Sequence, residues 1–359
     1  MYEPGIRYFL RTQFSPDYGG GQVGDQSFGS LNLLDAYVSF DLDNQWTVRF
    51  GQFKLPFARE SLVSVQNLLT ASRSTVDILM GLGRSQGVEL STKGNDISWA
   101  FAFSNGGQDN LLSGLSNDSG FFPAGTNPLN SPFDLHQANV AFTTRLDYKL
   151  SGDWNEFKEM TSPIGEASGT LLGLAAHYQM AAAPSDFGIG GTEFTGAFGN
   201  NEWITVTADA TINFGGASLY GALYYSNSET KWSRSTTPAV LPGTPSLRGT
   251  TNLMGVVVQG SMYVTPKWEV FGRYEYLDPI TLPQTNNFNN SPPITFSPTS
   301  IMTLGANWYL DGQDLRLNFQ VGYSFNEVTA LTATPENGFR PMFRSTSQAV
   351  FQAQFQLQF

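Results

Sequence analysis

In the C-terminal segment, Ala349, Phe351, Ala353, Phe355, Leu357 and Phe359 take one parity, while Gln348, Gln352, Gln354, Gln356 and Gln358 take the other. Successive side chains of a strand point to opposite faces, so this stretch has one greasy face and one wet face along its whole length. Upstream, Leu315, Leu317, Phe319, Val321, Tyr323 and Phe325 oppose Arg316, Asn318, Gln320, Ser324 and Asn326. The same alternation runs through 302–310, 268–276, 204–212 and 138–148, and similar runs lie near 3–13, 31–42, 45–53, 84–92, 97–105, 169–182, 217–228 and 251–264. The count is about fourteen strands, each near the roughly 9–11 residues that cross a hydrocarbon layer at a tilt. A helical membrane protein is excluded, because the longest apolar runs fall far short of the roughly 18 residues a spanning helix needs.

Phase can be set on the large apolar residues alone and then tested on the charges. Arg7, Arg11, Asp35, Arg49, Glu89, Arg145, Asp147, Asp209, Glu269, Arg273, Glu275 and Arg316 all fall on the polar parity, and none of these falls on the other. Random parity would do this roughly once in several thousand trials, given a strict period of two. The sheet is therefore two-faced. A soluble sandwich keeps charges off one face as well, so the membrane assignment needs further support.

Three features supply it. Tight turns at 41–44, 93–96, 214–216, 265–267 and 311–314 alternate with long polar loops, the short/long rhythm of outer-membrane barrels. Aromatics gather at the short-turn ends, where Trp46, Tyr148, Phe214, Trp268, Trp308 and Phe359 would form an interfacial girdle. The chain also stops at Phe359 within an apolar-out strand, resembling the terminal signal read by the outer-membrane assembly machinery. The expected fold is an all-β transmembrane antiparallel barrel, a single domain over 1–359, in bacterial outer-membrane lipid, with both termini on one side. Charged residues make up 14% of the chain, against about a quarter in soluble proteins, which agrees.

Composition removes several function classes. The formal charge is −11 and the few lysines are widely spread, so no basic stripe is available for nucleic acid. Without cysteine there is no disulfide, thiolate metal site or thiol nucleophile. No spaced His, Cys or Asp cluster meets metal-ligand geometry, and no cofactor or catalytic residue is expected. No secretory signal precedes Tyr2, so any leader is expected to have been removed or to lie upstream.

The long loops cover roughly 14–30, 54–82, 106–135, 183–200, 230–250, 278–298 and 329–343. A long connection at 151–168 falls on the short-turn side, where 154–158 forms a small element without an assigned role. Loop 54–82 stands apart. Leu62, Val65, Leu68 and Leu69 recur at near-helical spacing, which predicts a short amphipathic helix folded into the lumen. There Lys54, Arg59 and Arg73, with Arg49 and Arg84 on the flanking strands, would make a constriction that favours anions, since guanidinium groups suit charge-assisted contacts to oxyanions. The competing reading is that these cations pair with Glu60, Asp77 and Glu89 and pin the loop. It is the stronger one for each residue singly; for the cluster the constriction reading is stronger.

The stretch from Leu34 to Phe40, then Trp46-Thr47-Val48-Arg49-Phe50-Gly51-Gln52-Phe53-Lys54-Leu55-Pro56-Phe57-Ala58-Arg59-Glu60, then Arg84 with Gly87-Val88-Glu89-Leu90, resembles the phosphate-selective porin O/P family. The later Leu304-Gly305-Ala306-Asn307-Trp308-Tyr309 block is similar to that family's late strands. The resemblance implies a sixteen-stranded barrel, usually a homotrimer, with one loop folded inward and basic residues along an anion path. The family carries one more hairpin before the strand matching 3–13, so the chain is expected to lack its first two strands. Its predicted lumen also mixes carboxylates with arginines, so the expectation is passive diffusion of small hydrophilic solutes with general or weak anion preference. An outer-membrane hydrolase is the alternative; its only histidines are His177, on inward parity, and His136, on outward parity, which do not share an obvious site. A surface receptor or adhesin is the other.

Overall fold

The computed structural model describes residues 5–15, 30–43, 45–107, 138, 140–181, 187–189, 192–194, 196–197, 201–231, 233–234, 247–281, 284–285, 298–328, 337–339 and 347–358. Fourteen strands form one antiparallel path in which every neighbour in sequence is the neighbour in space. They are β1 (Ile6–Ser15), β2 (Ser30–Asp41), β3 (Trp46–Lys54), β4 (Arg84–Lys93), β5 (Ile97–Ser104), β6 (Val140–Ser151) and β7 (Gly169–Ala181). The path continues through β8 (Asn201–Asn213), β9 (Ala217–Lys231), β10 (Leu247–Thr265), β11 (Trp268–Thr281), β12 (Thr299–Asp311), β13 (Leu315–Ser324) and β14 (Gln348–Leu357). Among the described residues no ladder joins β1 to β14, so the sheet keeps two edges there. Among the described residues no helix is long and apolar enough to cross a membrane.

Burial along the strands is the reverse of a soluble protein. On β13, Arg316 and Asn318 are 1% exposed, whereas Phe319, Val321 and Tyr323 are 37%, 48% and 41% exposed. A β-sandwich would bury the second set and wet the first. Here the polar parity faces inward and the apolar parity forms the outer surface, as a barrel in lipid requires. The girdle is partly visible: Trp268 and Trp308 are opposed in register, with rings stacked 5.4 Å apart. Residue 359 lies outside the described residues.

The interior is filled from both ends. From the long-loop end comes the segment joining β3 to β4, with α1 (Arg59–Leu62), a 3-10 turn at Val65–Asn67 and α2 (Thr75–Met80). The helix expected across Leu62 to Leu69 is therefore broken, because Val63, Ser64 and Leu68 are extended. The leucine spacing is met by a winding chain that presses Leu68 and Leu69 against the wall. The helix at α2 was not anticipated. Its N-cap is Ser74, whose hydroxyl accepts from the backbone N–H of Asp77, satisfying one of the unpaired donors of a first turn. From the short-turn end comes the connection between β6 and β7, with a 3-10 turn at Trp154–Phe157 and a buried stretch through Met160, Thr161 and Ser162.

The two inward segments share one apolar cluster with the wall. Phe53, Leu55, Phe57, Leu69, Val76 and Met80 pack with Met160 and with the inward-facing Trp203, Tyr220, Tyr224, Val257 and Phe271. Each fully buried side chain of this kind contributes about 1.5–3 kcal/mol relative to exposure. The fit depends on Gly255 of β10: a Cβ there would stand 2.4 Å from Val76 Cγ1 and 2.8 Å from Met80 Sδ, so only glycine lets α2 approach this closely.

Candidate functional site

The inward loop is tied to six strands of the wall by side chains that the alternation places inside. Arg145 of β6 donates to Phe57 O (2.5 Å), and Arg59 donates to Thr211 Oγ1 of β8 (2.8 Å). Glu275 of β11 accepts from Thr75 N (2.5 Å), and Arg273 donates to Thr70 Oγ1 (2.6 Å). On the far side, Asn307 of β12 donates to Leu69 O (2.9 Å), Arg316 of β13 to Leu68 O (2.8 Å) and Gln356 of β14 to Gln66 O (3.0 Å). One segment reaching the same face of β6, β8, β11, β12, β13 and β14 requires that the sheet curl around it.

The five basic residues expected along an anion path are all engaged. Arg49 pairs with Glu89 at 2.6 Å and lies over the Phe53 ring at 4.2 Å. Arg84 forms a two-point contact with Asp35, at 2.9 and 3.1 Å. Lys54 Nζ donates to Ser61 O (2.6 Å) and Val63 O (3.2 Å), and Arg73 donates to Glu60 O and Val63 O, each at 3.2 Å. These two cations thus sit on the carbonyls that end α1, where helix geometry leaves acceptors unpaired and the dipole favours positive charge. Arg73 also lies 3.7 Å from Asp77. Arg59 is buried between Thr211 and the carbonyl of Phe157 (2.7 Å), joining the loop to the opposite insert.

The remaining inward charges divide by location. Arg7 of β1 pairs with Asp41 in an exposed contact, and Arg11 stands opposite Asp35 in the β1–β2 register. Arg145 is held by Asp147 at 2.6 Å and Asp209 at 2.8 Å; Gly173 makes the room, since a Cβ there would lie 2.2 Å from Arg145 Nη2. Arg273 pairs with Glu275 at 2.7 Å and approaches Glu60 at 3.6 Å. Glu269 accepts from Thr161 (2.5 Å) and Tyr309 (2.5 Å). The sequence had these charges facing water held in the lumen. On β8 and β11–β13 they are buried instead against the two inward segments.

The short-turn insert, whose role the sequence does not reveal, braces the inward loop. Met160 N donates to Asn67 O (3.0 Å) and Asn67 Nδ2 to Lys158 O (3.4 Å), so insert and loop meet within the lumen. Asn213 and Ser218 of β8 and β9 donate to Glu156 O (2.7 Å) and Met160 O (3.1 Å). A cavity of about 410 Å³ remains between them, lined by Arg59, Leu62, Val63 and Asn67 of the loop, Lys93, Ser98, Arg145 and Asp147 of β4–β6, and Trp154, Phe157 and Lys158 of the insert. The signal that could have found the insert was Phe157 and Met160, two large apolar residues in a connection where its counterparts are tight polar turns.

His177 is spoken for. Gln179 Oε1 accepts from Gly107 N (2.7 Å) and from His177 Nε2 (3.1 Å), which leaves Nδ1 to accept from the Thr143 hydroxyl (2.8 Å). The ring packs edge-on against Trp203. Thr143 and His177 are 1% and 2% exposed, so no substrate reaches this pair. His136 lies outside the described residues.

Among solved structures, the chain is similar to outer-membrane expressed OmpT of Vibrio cholerae, with 11% identity and a TM-score of 0.45 over 90% of this chain and 81% of that one. It is also similar to an anion-selective porin from Comamonas acidovorans, with 15% identity and a TM-score of 0.45 over 84% and 70%. OprB of Pseudomonas putida gives 11% identity and 0.43 over 88% and 71%. No curated protein sequence matches the chain. Residues 5–128 match the family described as phosphate-selective porin O and P, and the resemblance carried by the block from Asp35 to Leu90 holds.

Proposed function

We propose that the chain is a single barrel domain in the bacterial outer membrane that lets small hydrophilic solutes diffuse passively, with a weak preference for anions. The observation that carries the reading is the inverted burial of the wall: buried Arg316 and Asn318 behind exposed Phe319 and Val321 make sense only around a polar interior in lipid. The match to a porin family over residues 5–128 supports the same reading. The narrowing comes from the inward loop, and the anion preference from cations on β3, β4 and the short-turn end. The protein is not an enzyme on this reading, because the Thr143–His177 pair is buried away from solvent. A homotrimer and recognition of Phe359 by the assembly machinery follow the family pattern.

Purified protein in a planar bilayer, bathed first in chloride and then with phosphate as competitor, tests the proposal. Discrete conductance steps with a modest anion-directed reversal potential are expected, and block by millimolar phosphate would extend the family's chemistry to this chain. Strong cation selectivity would overturn the anion half. Detergent-folded protein without channels would overturn the whole.

A further inference from the structure

The connection between β6 and β7 sits where the neighbouring hairpins have tight turns, yet it turns back into the barrel. Its Phe157 and Met160 are buried, its backbone is held by Arg59, Asn67, Asn213 and Ser218, and it forms one side of the cavity beneath the inward loop. A segment anchored at this many points narrows the lumen from below as the loop narrows it from above.

The charges lining the two constrictions differ in availability. In the upper one, Lys54 and Arg73 are occupied by α1 carbonyls, and Arg49 and Arg84 by Glu89 and Asp35. In the lower one, the lining carboxylate is Asp147, and Arg145 takes it at 2.6 Å. Lys93 and Lys158 also line the cavity, and both are exposed. Lys93 Nζ stands 4.7 Å from the Trp154 ring centre, and the Trp154 indole donates to Gly94 O at 3.0 Å, so the ammonium is steered by an aromatic face, while Asp147, whose charge also reaches it, is bonded to Arg145 instead. The insert's acids, Asp153, Glu156 and Glu159, do not line the cavity, and Glu159 accepts from Gln313.

We propose that residues 153–166 are a second selectivity element, entering from the short-turn mouth, and that small anions pass it beside Lys93 and Lys158. This deepens the porin reading and rests on it. Carriers of uncompensated charge in a narrow, partly enclosed space raise the local concentration of the opposite ion far more than paired charges do.

The test compares reversal potentials of the full chain in a potassium chloride gradient. Wild type is set beside the double variants Lys93→Gln/Lys158→Gln and Lys93→Glu/Lys158→Glu, with Lys54→Gln as comparison. The neutral pair should lower the anion-to-cation permeability ratio several-fold, the acidic pair should invert it, and Lys54→Gln should move it less. Both lysines are exposed, so the variants are expected to fold, which the heat-modifiable gel shift checks before any recording. Replacing 153–166 by a short Gly-Ser turn should in addition raise unitary conductance. A conducting wild type whose selectivity ignores the acidic pair overturns this inference and leaves the porin reading intact. A silent wild type overturns the porin reading, and the inference with it.

Discussion

Two parts of the same wall carry the same alternating pattern and differ in how far their inward cations are covered. On β8 the inward Thr205, Thr207 and Thr211 are at most 1% exposed, and on β11–β13 Glu269, Arg273, Asn307 and Arg316 are at most 3% exposed. On β3 and β4 the inward Arg49 and Arg84 side chains keep 23% and 25% of their surface. The difference comes from which wall the inward segments lean on. A polar residue on the inner face of a barrel is therefore not a water-facing residue by default: most are sockets for the filler or for a neighbouring charge, and Arg49 and Arg84 on β3 and β4 are inward cations that keep part of their surface.

The sharpest break of this comparison is Asp209→Ala. Removing one partner of a buried ion pair leaves the other charge uncompensated, and because Asp147 still reaches Arg145 the loss should be near the low end of the usual range, about 3 kcal/mol. The urea midpoint in detergent, read by the heat-modifiable gel shift, checks it. Gly255→Val comes next. Its side chain collides with Val76 and Met80, so about 1–3 kcal/mol of stability should be lost and α2 pushed into the lumen, which single-channel recording would register as altered conductance.

Asp77 gives a smaller effect with a defined sign. Burial, with the Glu60 carboxylate beside it, pushes its carboxyl up to about 7, far above the ordinary 3.8. The folded protein thus keeps a proton that the unfolded chain has lost. The resulting stabilisation is complete below the ordinary value and disappears as pH rises through about 7. Asp77→Asn should flatten this slope and make the protein the more stable of the two at alkaline pH, as shown by thermal unfolding at a series of pH values. The smallest change belongs to the open wall. Arg84→Gln should cost about 1–2 kcal/mol, since Arg84 is partly solvated but the Asp35 it leaves behind is buried and loses a two-point partner, while still shifting the reversal potential.

Strand number and phase were legible because they rest on a local rule, period two; the inward course of loop 54–82 was read from leucine spacing, although the single helix that spacing predicts is broken at Val63 and Ser64. What escaped was set by contacts across the lumen. The apolar inward patch of Tyr220, Tyr224, Val257 and Phe271 breaks the greasy-out, wet-in pattern, and its reason is visible only once Val76 and Met80 are seated on it. Likewise the positive charge of Lys54 and Arg73 could be read, but not that α1 ends within their reach. The 153–166 insert was visible as a length anomaly; Phe157 and Met160 marked it as buried, and alternation had nothing to say about where.

The anchoring of the inward loop has a consequence for how the chain reaches its native state. Its internal bonds are local: Ser74 donates to Glu60, Ser61 to Asp77, and Arg73 to the carbonyl of Val63, all within seventeen positions. Its attachments to the wall are remote, with Arg273 meeting Thr70 across 203 positions and Gln356 meeting Gln66 across 290. Closing such spans is slow, whereas the local cluster closes early. The local cluster of the loop can therefore close ahead of the wall, with β6, β8 and then the late strands β11–β14 supplying the remote clasps.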